Sequence, residues 1–164
     1  MMNRIAFLIP ITLLIFSCQK PEDVVPSPLS MPSAEDCGAA GARLQAVFDG
    51  TDFCANVNLF CSPASGEITI NGLSSVGSTL TLQLDTMAPG TYDMSTSDNV
   101  VLFTTSFGIG YMSNDSLPAT LTISEHDTEA DRIKGSFSGE LITALGGAPK
   151  SISGSFDMYY VPEE

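Results

Sequence analysis

The chain has 164 residues, of which 19 are acidic and 6 are basic, so its formal net charge is −13 at pH 7. A surface this acidic repels phosphate backbones, which argues strongly against nucleic-acid binding. Its length predicts one domain after the first residues are set aside as a targeting segment.

Residues 1–17 have the pattern of a secretory signal peptide. A short start with one positive charge, Arg4, leads into an apolar run over residues 5–16. A helix needs about 20 apolar residues to span a bilayer, so this run is too short to be a permanent membrane helix. We therefore expect residues 1–17 to be removed on export.

The end of this run resembles a lipobox, the cleavage motif of bacterial lipoproteins. Residues 15–18 read Ile-Phe-Ser-Cys. The resemblance implies that diacylglyceryl is transferred to the sulfur of Cys18 and that the chain is cleaved before that residue. Two or three acyl chains, at about 0.8 kcal/mol per buried methylene, make a stable anchor. The alternative is an ordinary signal peptide that ends beside a cysteine.

The residues after Cys18 indicate where the protein is displayed. Residues 19–23 read Gln-Lys-Pro-Glu-Asp and are similar to the surface-export signal of Bacteroidota lipoproteins. This resemblance implies an outer-membrane lipoprotein on the cell surface, with a periplasm-facing lipoprotein as the alternative. Residues 18–42 are rich in proline, which favours an extended chain of about 3.1 Å per residue. We predict that they form a tether.

Three further cysteines, Cys37, Cys54 and Cys61, lie in the exported part of the chain. Disulfides persist in oxidising compartments, and three cysteines allow one intramolecular bond in three alternative pairings. The pair Cys54 and Cys61 is favoured because it is close in sequence and closes a short loop. A metal site is not expected here, because the spacing is irregular and no histidine lies nearby.

From Arg43 onward the chain alternates apolar and polar residues in short runs, the pattern of strands with one buried face. The segment Leu80–Leu84 is the most regular of these runs. About nine short strands, roughly 8–12 residues apart, predict an all-β antiparallel sandwich or flattened barrel. This single domain is expected to cover residues 43–164.

Turn residues divide the predicted strands. The pair Asp49-Gly50 predicts a tight hairpin. Residues 62–66, which include a proline, and the pair Asn71-Gly72 are also predicted to be turns. Residues 107–112 are predicted to continue the sheet.

Two segments, residues 133–137 and 152–156, share the form Ile-x-Gly-Ser-Phe. They flank a diglycine turn and are predicted to be antiparallel strands of one hairpin. Together with the hairpin around residues 48–53 and the Gly-Thr-Tyr of residues 90–92, they resemble a domain-of-unknown-function family of small Bacteroidota lipoproteins. That resemblance implies an all-β fold and a lipid-anchored location, and it brings no activity or catalytic residues.

Few residues have the pattern of a chemical site, and no catalytic residue, cofactor or metal is predicted. His126 is the only histidine and is interpreted as a surface residue, because its sequence neighbours do not converge as a triad would. A weak Ca²⁺ candidate is the acidic set Asp127, Glu129 and Asp131, since Ca²⁺ prefers clustered oxygen ligands. The spacing does not match an EF-hand, so an acidic solvated turn is the favoured interpretation.

Two hydroxyl residues are candidate modification sites. Thr86 and Ser116 each follow an aspartate in or near a predicted turn. They resemble the Asp-Ser/Thr-apolar sites of O-glycosylation in Bacteroidota.

The leading hypothesis is a non-enzymatic binding or structural accessory module at the outer membrane, with an outer-membrane protein complex as its candidate partner. One alternative is a carrier that holds an apolar ligand inside a β-barrel. Another is a small hydrolase that uses two carboxylates facing one cleft. The sequence leaves the ligand, the partner and the oligomeric state open.

Overall fold

The computed structural model describes Cys37, residues 42–64 and residues 66–162. The predicted signal peptide, Cys18 and most of the tether lie outside the described residues. The described chain is all-β, with eleven strands rather than about nine. They are β1 (Arg43–Phe48), β2 (Thr51–Cys54), β3 (Asn58–Ala64), β4 (Glu67–Leu73), β5 (Thr79–Leu84), β6 (Gly90–Asp93), β7 (Val100–Thr104), β8 (Gly110–Met112), β9 (Ala119–Asp127), β10 (Arg132–Leu141) and β11 (Lys150–Tyr159). Within these residues, no helix is long and apolar enough to cross a membrane.

The strands form two antiparallel sheets that pack as a β-sandwich, which confirms the predicted fold class. Sheet A has the order β2-β1-β11-β10-β9-β6, and sheet B has the order β3-β4-β5-β7-β8. The sheets are not closed into a barrel, so the flattened-barrel alternative is wrong. The described chain passes between the sheets four times, from β2 to β3, from β5 to β6, from β6 to β7 and from β8 to β9.

One hydrophobic core fills the space between the sheets. The predicted run Leu80–Leu84 is confirmed, because its three leucines are fully buried in β5. Burying such a side chain stabilises the fold by about 1.5–3 kcal/mol. The largest fully buried side chains come from both sheets and the connection after β6: Leu44, Ile68, Ile70, Leu80, Leu82, Leu84, Met94, Leu121, Ile123, Ile133, Leu141 and Met158.

The repeated Ile-x-Gly-Ser-Phe segments form the predicted hairpin of β10 and β11. Gly135 lies opposite Phe156, and Phe137 lies opposite Gly154. A Cβ added at Gly135 would lie 2.8 Å from Cε1 of Phe156, and one added at Gly154 would lie 2.9 Å from Cε1 of Phe137. Each phenylalanine ring therefore occupies the space over the opposing glycine, and only glycine fits at both positions.

Two predicted turns are partly or wholly strand residues, although Gly66 does lie in the turn between β3 and β4. β3 continues through Pro63, which an edge strand accepts because proline then removes no ladder hydrogen bond. β4 continues through Asn71 and Gly72. A Cβ at Gly72 would lie 2.9 Å from Cδ2 of Leu44, so this glycine allows close packing rather than a turn.

The predicted disulfide between Cys54 and Cys61 is wrong. Cys54 is bonded to Cys37, with a Cα–Cα distance of 5.4 Å, and Cys61 is a buried free thiol. Side chains alternate between faces along a strand, and Phe53 points into the core, so Cys54 points to the outer face of sheet A. Cys61 points into the core from sheet B, so the two sulfurs lie in different layers.

Candidate functional site

Three turns at one end of the sandwich share a sequence pattern of a hydroxyl residue, a small residue, an apolar residue and glycine. We call them the tip turns, and they are Ser74–Gly77, Thr105–Gly108 and Thr143–Gly146. In each turn the glycine N–H donates to the carbonyl of the hydroxyl residue, at 3.0, 2.9 and 2.9 Å respectively. Each glycine also has a positive φ, of +87°, +78° and +79°, which a side chain at that position would strain.

The third residue of each tip turn is a large apolar side chain in solvent. The exposed fractions are 71% for Val76, 89% for Phe107 and 100% for Leu145. The tip turns contain no charged residue, although the whole chain has a formal charge of −13. Isolated exposed apolar side chains are ordinary, but a group of them at one end of a domain indicates an interaction surface.

Strand register places these turns at the same end. The turn between β1 and β2 lies beside the loop between β10 and β11, because Asp49 N donates to Ser151 O at 2.9 Å and Lys150 forms an ion pair with Asp49. In sheet B, Thr79 at the start of β5 pairs with Thr104 at the end of β7. The tip turns at Val76 and Phe107 therefore lie side by side.

A surface cavity of about 310 Å³, the tip cavity, joins the two sheets at this end. Its aromatic lining is Phe48, Phe53 and Phe103, with Val76 and Phe107 beside them. The ring of Phe48 stacks on that of Phe103 with centroids 4.2 Å apart, and the edge of Phe53 approaches Phe103 at 5.6 Å. The result is a packed aromatic floor between two exposed apolar side chains.

The chain enters the domain at the opposite end. β1 begins at Arg43, which pairs with Asp157 near the end of β11, and runs towards the turn at Asp49-Gly50. Cys37, within the predicted tether, is bonded to Cys54, which lies opposite Gln45 in β1. Arg43, where β1 begins, and the tip turns therefore lie at opposite ends of β1.

A β-bulge between β9 and β10 determines the orientation of His126, the only histidine. Lys134 pairs with Glu125 and Gly135 with Ile123, so the register shifts between these two pairs. The shift turns His126 towards the core edge, where its Nε2 lies 2.7 Å from the Oη of Tyr160. His126 is thus half-buried and paired with a tyrosine rather than a simple surface residue.

The acidic candidates for Ca²⁺ form the predicted hairpin turn between β9 and β10. Asp127 Oδ1 accepts hydrogen bonds from the N–H groups of Glu129 at 2.9 Å and Ala130 at 3.0 Å. These two donors hold the pKa of Asp127 below its ordinary value. In the part of the chain that the structure describes, no three His, Cys, Asp or Glu side chains converge as metal ligands. The carboxylate of Asp127 therefore stabilises the turn by accepting these two backbone hydrogen bonds.

The two candidate glycosylation sites differ in exposure. Ser116 is exposed in the turn before β9, where its Oγ donates to Asp115 at 3.2 Å. Thr86 is half-buried, and its Oγ1 accepts from the N–H of Ala88 at 3.2 Å. Both lie between strands as predicted, and their modification stays a prediction.

Two further cavities lie on the described residues, and neither has more than one exposed large apolar side chain in its lining. One, of about 450 Å³, lies against the Cys37–Cys54 disulfide and the serines of β11. The other, of about 560 Å³, lies beside β6 and is lined mainly by threonine, serine and aspartate. The tip cavity is therefore the best candidate binding site.

The prediction that residues 107–112 continue the sheet is wrong at Phe107, and for this reason the sequence did not reveal the three tip turns as a group. The residue lies in a turn, and β8 begins only at Gly110. A usable signal was present, since the hydroxyl–small–apolar–glycine pattern occurs in all three turns. An apolar residue directly before a turn glycine has little chance of facing the core, because it lies at the tip of the hairpin.

A comparison with curated proteins finds no match. A family model described as a domain of unknown function, DUF6252, matches residues 41–159. The match includes all eleven strands and most of the chain. The chain therefore belongs to the DUF6252 family, whose defining domain has no assigned function.

Proposed function

We propose that this protein is a non-enzymatic binding module, anchored by lipid on Cys18 to the outer membrane of a Bacteroidota cell and displayed on its surface. Its binding site is the tip surface, which comprises the tip turns and the tip cavity. The observation that carries this proposal is the exposure of Val76, Phe107 and Leu145 at the end of the sandwich opposite Arg43, where β1 begins. Their burial by a partner would contribute about 25 cal/mol per Å² of apolar surface removed from water.

The direction of the chain supports binding away from the anchoring membrane. The first strand, β1, begins at Arg43, and in the described part of the chain it runs from there to the tip surface. A tether of extended, proline-rich sequence adds reach at about 3.1 Å per residue. The tip surface is then presented outward, where an outer-membrane complex or another surface component is accessible.

The carrier and the hydrolase have no comparable support. An apolar-ligand carrier needs an internal cavity, whereas the space between the sheets is filled by core side chains in the described residues. A two-carboxylate hydrolase needs both acids free to act in one cleft. Of the two aspartates beside the tip cavity, Asp49 is paired with Lys150, and Asp52 is on the outer face of sheet A because its neighbour Phe53 points into the core.

The anchor is tested with a Cys18→Ala variant expressed in a native host. We expect this variant to leave the membrane fraction and to lose labelling by radioactive palmitate, while Cys61→Ala keeps both properties. Surface display is tested on the unaltered protein by adding protease to intact cells. A Cys18→Ala protein that stays in the membrane fraction would contradict the anchor.

The binding surface is tested by placing a photo-crosslinking amino acid at Phe107 in the full lipid-anchored protein. Position 129 is the matched control, because Glu129 is exposed in a turn at the opposite end of sheet A. We expect a discrete cross-linked product at position 107 in living cells and none at position 129. Equal products at both positions, or none at position 107, would overturn the proposal.

A further inference from the structure

We infer that the Cys37–Cys54 disulfide is a mechanical clamp, which takes the pulling force that reaches the domain through the tether and keeps that force off strand β1. This inference rests on the proposed function, which supplies the load between a lipid on Cys18 and a partner held at the tip surface. It follows from three features of the described residues: the covalent path of the chain, the position of β1 and the packing around Cys54.

The covalent path determines where a force enters the fold. A pull on the chain before Cys37 reaches Cys37 first, and this residue is bonded to Cys54 across a sequence separation of 17. Strand β1, Arg43–Phe48, lies between these two cysteines in the sequence. Because the two Cα atoms are held 5.4 Å apart, the pull passes to Cys54 and does not extend β1.

The position of β1 makes it important to keep force away from this strand. It pairs with β11 over six residues and with β2 over four, so it joins β2 to the rest of sheet A. Its side chains Leu44, Ala46 and Phe48 are buried in the core. Without the disulfide, a pull from the tether would enter β1 at Arg43, which is exposed, and would act directly on the β1 ladder.

The surroundings of Cys54 distribute a force over the whole sandwich. Phe53 and Ala55, on either side of Cys54, are 4% and 0% exposed. The N–H of Ala55 donates to the carbonyl of Leu44 at 3.1 Å, and the edge of the Phe53 ring approaches Phe103 of sheet B with centroids 5.6 Å apart. Cys54 is also the last residue of β2, after which the chain passes to sheet B. A force applied at this residue is therefore shared by both sheets.

A clamp differs from an ordinary stabilising disulfide in its dependence on where the molecule is pulled. A disulfide that only restricts the unfolded chain stabilises the fold independently of the point of attachment. A clamp protects the fold only when the force enters before Cys37. The same substitution should therefore have unequal effects in two pulling geometries.

The test holds the full-length protein, purified in detergent, at constant force in optical tweezers between two click-reactive amino acids. One geometry uses positions 30 and 107, so that the force enters before Cys37 and leaves at the tip surface. The other uses positions 107 and 161, which are both exposed and leave the disulfide out of the path. We expect Cys54→Ser to raise the unfolding rate about tenfold more in the first geometry than in the second, which corresponds to about 1.4 kcal/mol in the barrier.

Three further measurements control this comparison. In the first geometry Cys54→Ser should release about 55 Å more chain than the parent, because the separation of 17 residues is then extended at roughly 3.3–3.6 Å per residue. Cys61→Ala removes a cysteine but keeps the disulfide, so it should change the unfolding rate by the same factor in both geometries. Reducing the parent should reproduce the effect of Cys54→Ser, and this measurement does not depend on whether the variant folds.

The outcomes separate this inference from the proposed function. Equal factors for Cys54→Ser in the two geometries, or no additional released length, would overturn the inference and leave the tip surface as a binding site. Unequal factors support the inference even if cross-linking at position 107 in cells gives no product, because the tweezers apply the load themselves. The missing product would then overturn the proposed function alone.

Discussion

Glycine has opposite consequences in two regions of this molecule. In the hairpin of β10 and β11, Gly135 and Gly154 leave room for phenylalanine rings, and the strands pack more closely because of them. In the tip turns, Gly77 and Gly108 have no atom within 4 Å of an added Cβ. There glycine sets a backbone conformation that leaves the preceding apolar side chain in water.

This comparison separates residues that stabilise the fold from residues that are available for binding. The rings of Phe137 and Phe156 are 3% and 2% exposed, whereas Phe107 is 89% exposed. Apolar surface that is already buried in the folded protein contributes to its stability. Apolar surface that is still exposed contributes only when a partner covers it, so the two regions should respond differently to substitution.

The largest effect is expected from Gly135→Ala. The new methyl group meets the ring of Phe156 and the backbone of Thr122, so the hairpin must open or the ring must leave its site. Overpacking of this kind costs about 1–3 kcal/mol, and backbone contact puts it at the upper end. Chemical denaturation should therefore show a loss of about 3 kcal/mol in the free energy of unfolding.

A matched control for that variant is Ser136→Ala in the same strand. Ser136 is exposed on the outer face of sheet A, so its replacement should change the free energy of unfolding by less than about 0.5 kcal/mol. If Gly135→Ala is as stable as this control, the close packing of the hairpin does not contribute to stability as described.

A somewhat smaller loss is expected from Cys54→Ser. The bond to Cys37 spans a sequence separation of 17, and a loop of this length stabilises a domain by about 3 kcal/mol in the chain-entropy model, with engineered cases often lower. We expect about 2 kcal/mol in denaturation experiments without reductant. Adding reductant should remove the difference between parent and variant, and a difference that persists would contradict the assigned pairing.

The buried thiol of Cys61 makes the free energy of unfolding depend on pH. Burial raises the pKa of Cys61 from 9.0 to about 12, so between these values the unfolded state loses a proton that the folded state keeps. Stability therefore falls as pH rises above 9, by up to about 1.4 kcal/mol per pH unit from this group. The free energy of unfolding of Cys61→Ala should decline less steeply between pH 9 and 10 than that of the parent, and parallel slopes would refute the assignment.

The smallest effect on stability is expected at the tips. Val76→Ser, Phe107→Ser and Leu145→Ser remove side chains that are already exposed, so each should shift the free energy of unfolding by less than about 0.5 kcal/mol. Thermal denaturation checks this. If the free energy of unfolding falls by more than about 1 kcal/mol, the tip residues pack against the domain. The tip would then not differ from the hairpin of β10 and β11 as described.

Periodic patterns in the sequence predicted much of this fold. The alternation in Leu80–Leu84 and the repeat around Phe137 and Phe156 gave the right strands, because a half-buried strand must alternate. The turn predicted at Asn71-Gly72 is wrong, because turn propensity reflects only neighbouring residues in the sequence. Gly72 instead allows close packing against Leu44, which is distant in the sequence. Tertiary contacts of this kind are not encoded within a short window of sequence.

The candidate site was less predictable than the fold. Cys54 was assigned the wrong partner because proximity in sequence does not report which face of which sheet a side chain occupies. The tip surface combines Phe48, Phe103 and Phe107 from two sheets, and only the packing of the sheets brings them together. Their pattern is visible in the sequence, but their common location is not.

The most direct test of the central claim is to measure partner capture and stability on one protein, the full-length variant with Val76→Ser, Phe107→Ser and Leu145→Ser. Native host cells expressing the parent or this variant are solubilised under mild conditions, and co-purifying proteins are quantified by mass spectrometry. We predict that the variant loses the proteins that co-purify with the parent, while its free energy of unfolding stays within about 1 kcal/mol. A variant that folds equally well and keeps the same co-purifying proteins would contradict the assignment of the tip surface as the binding site.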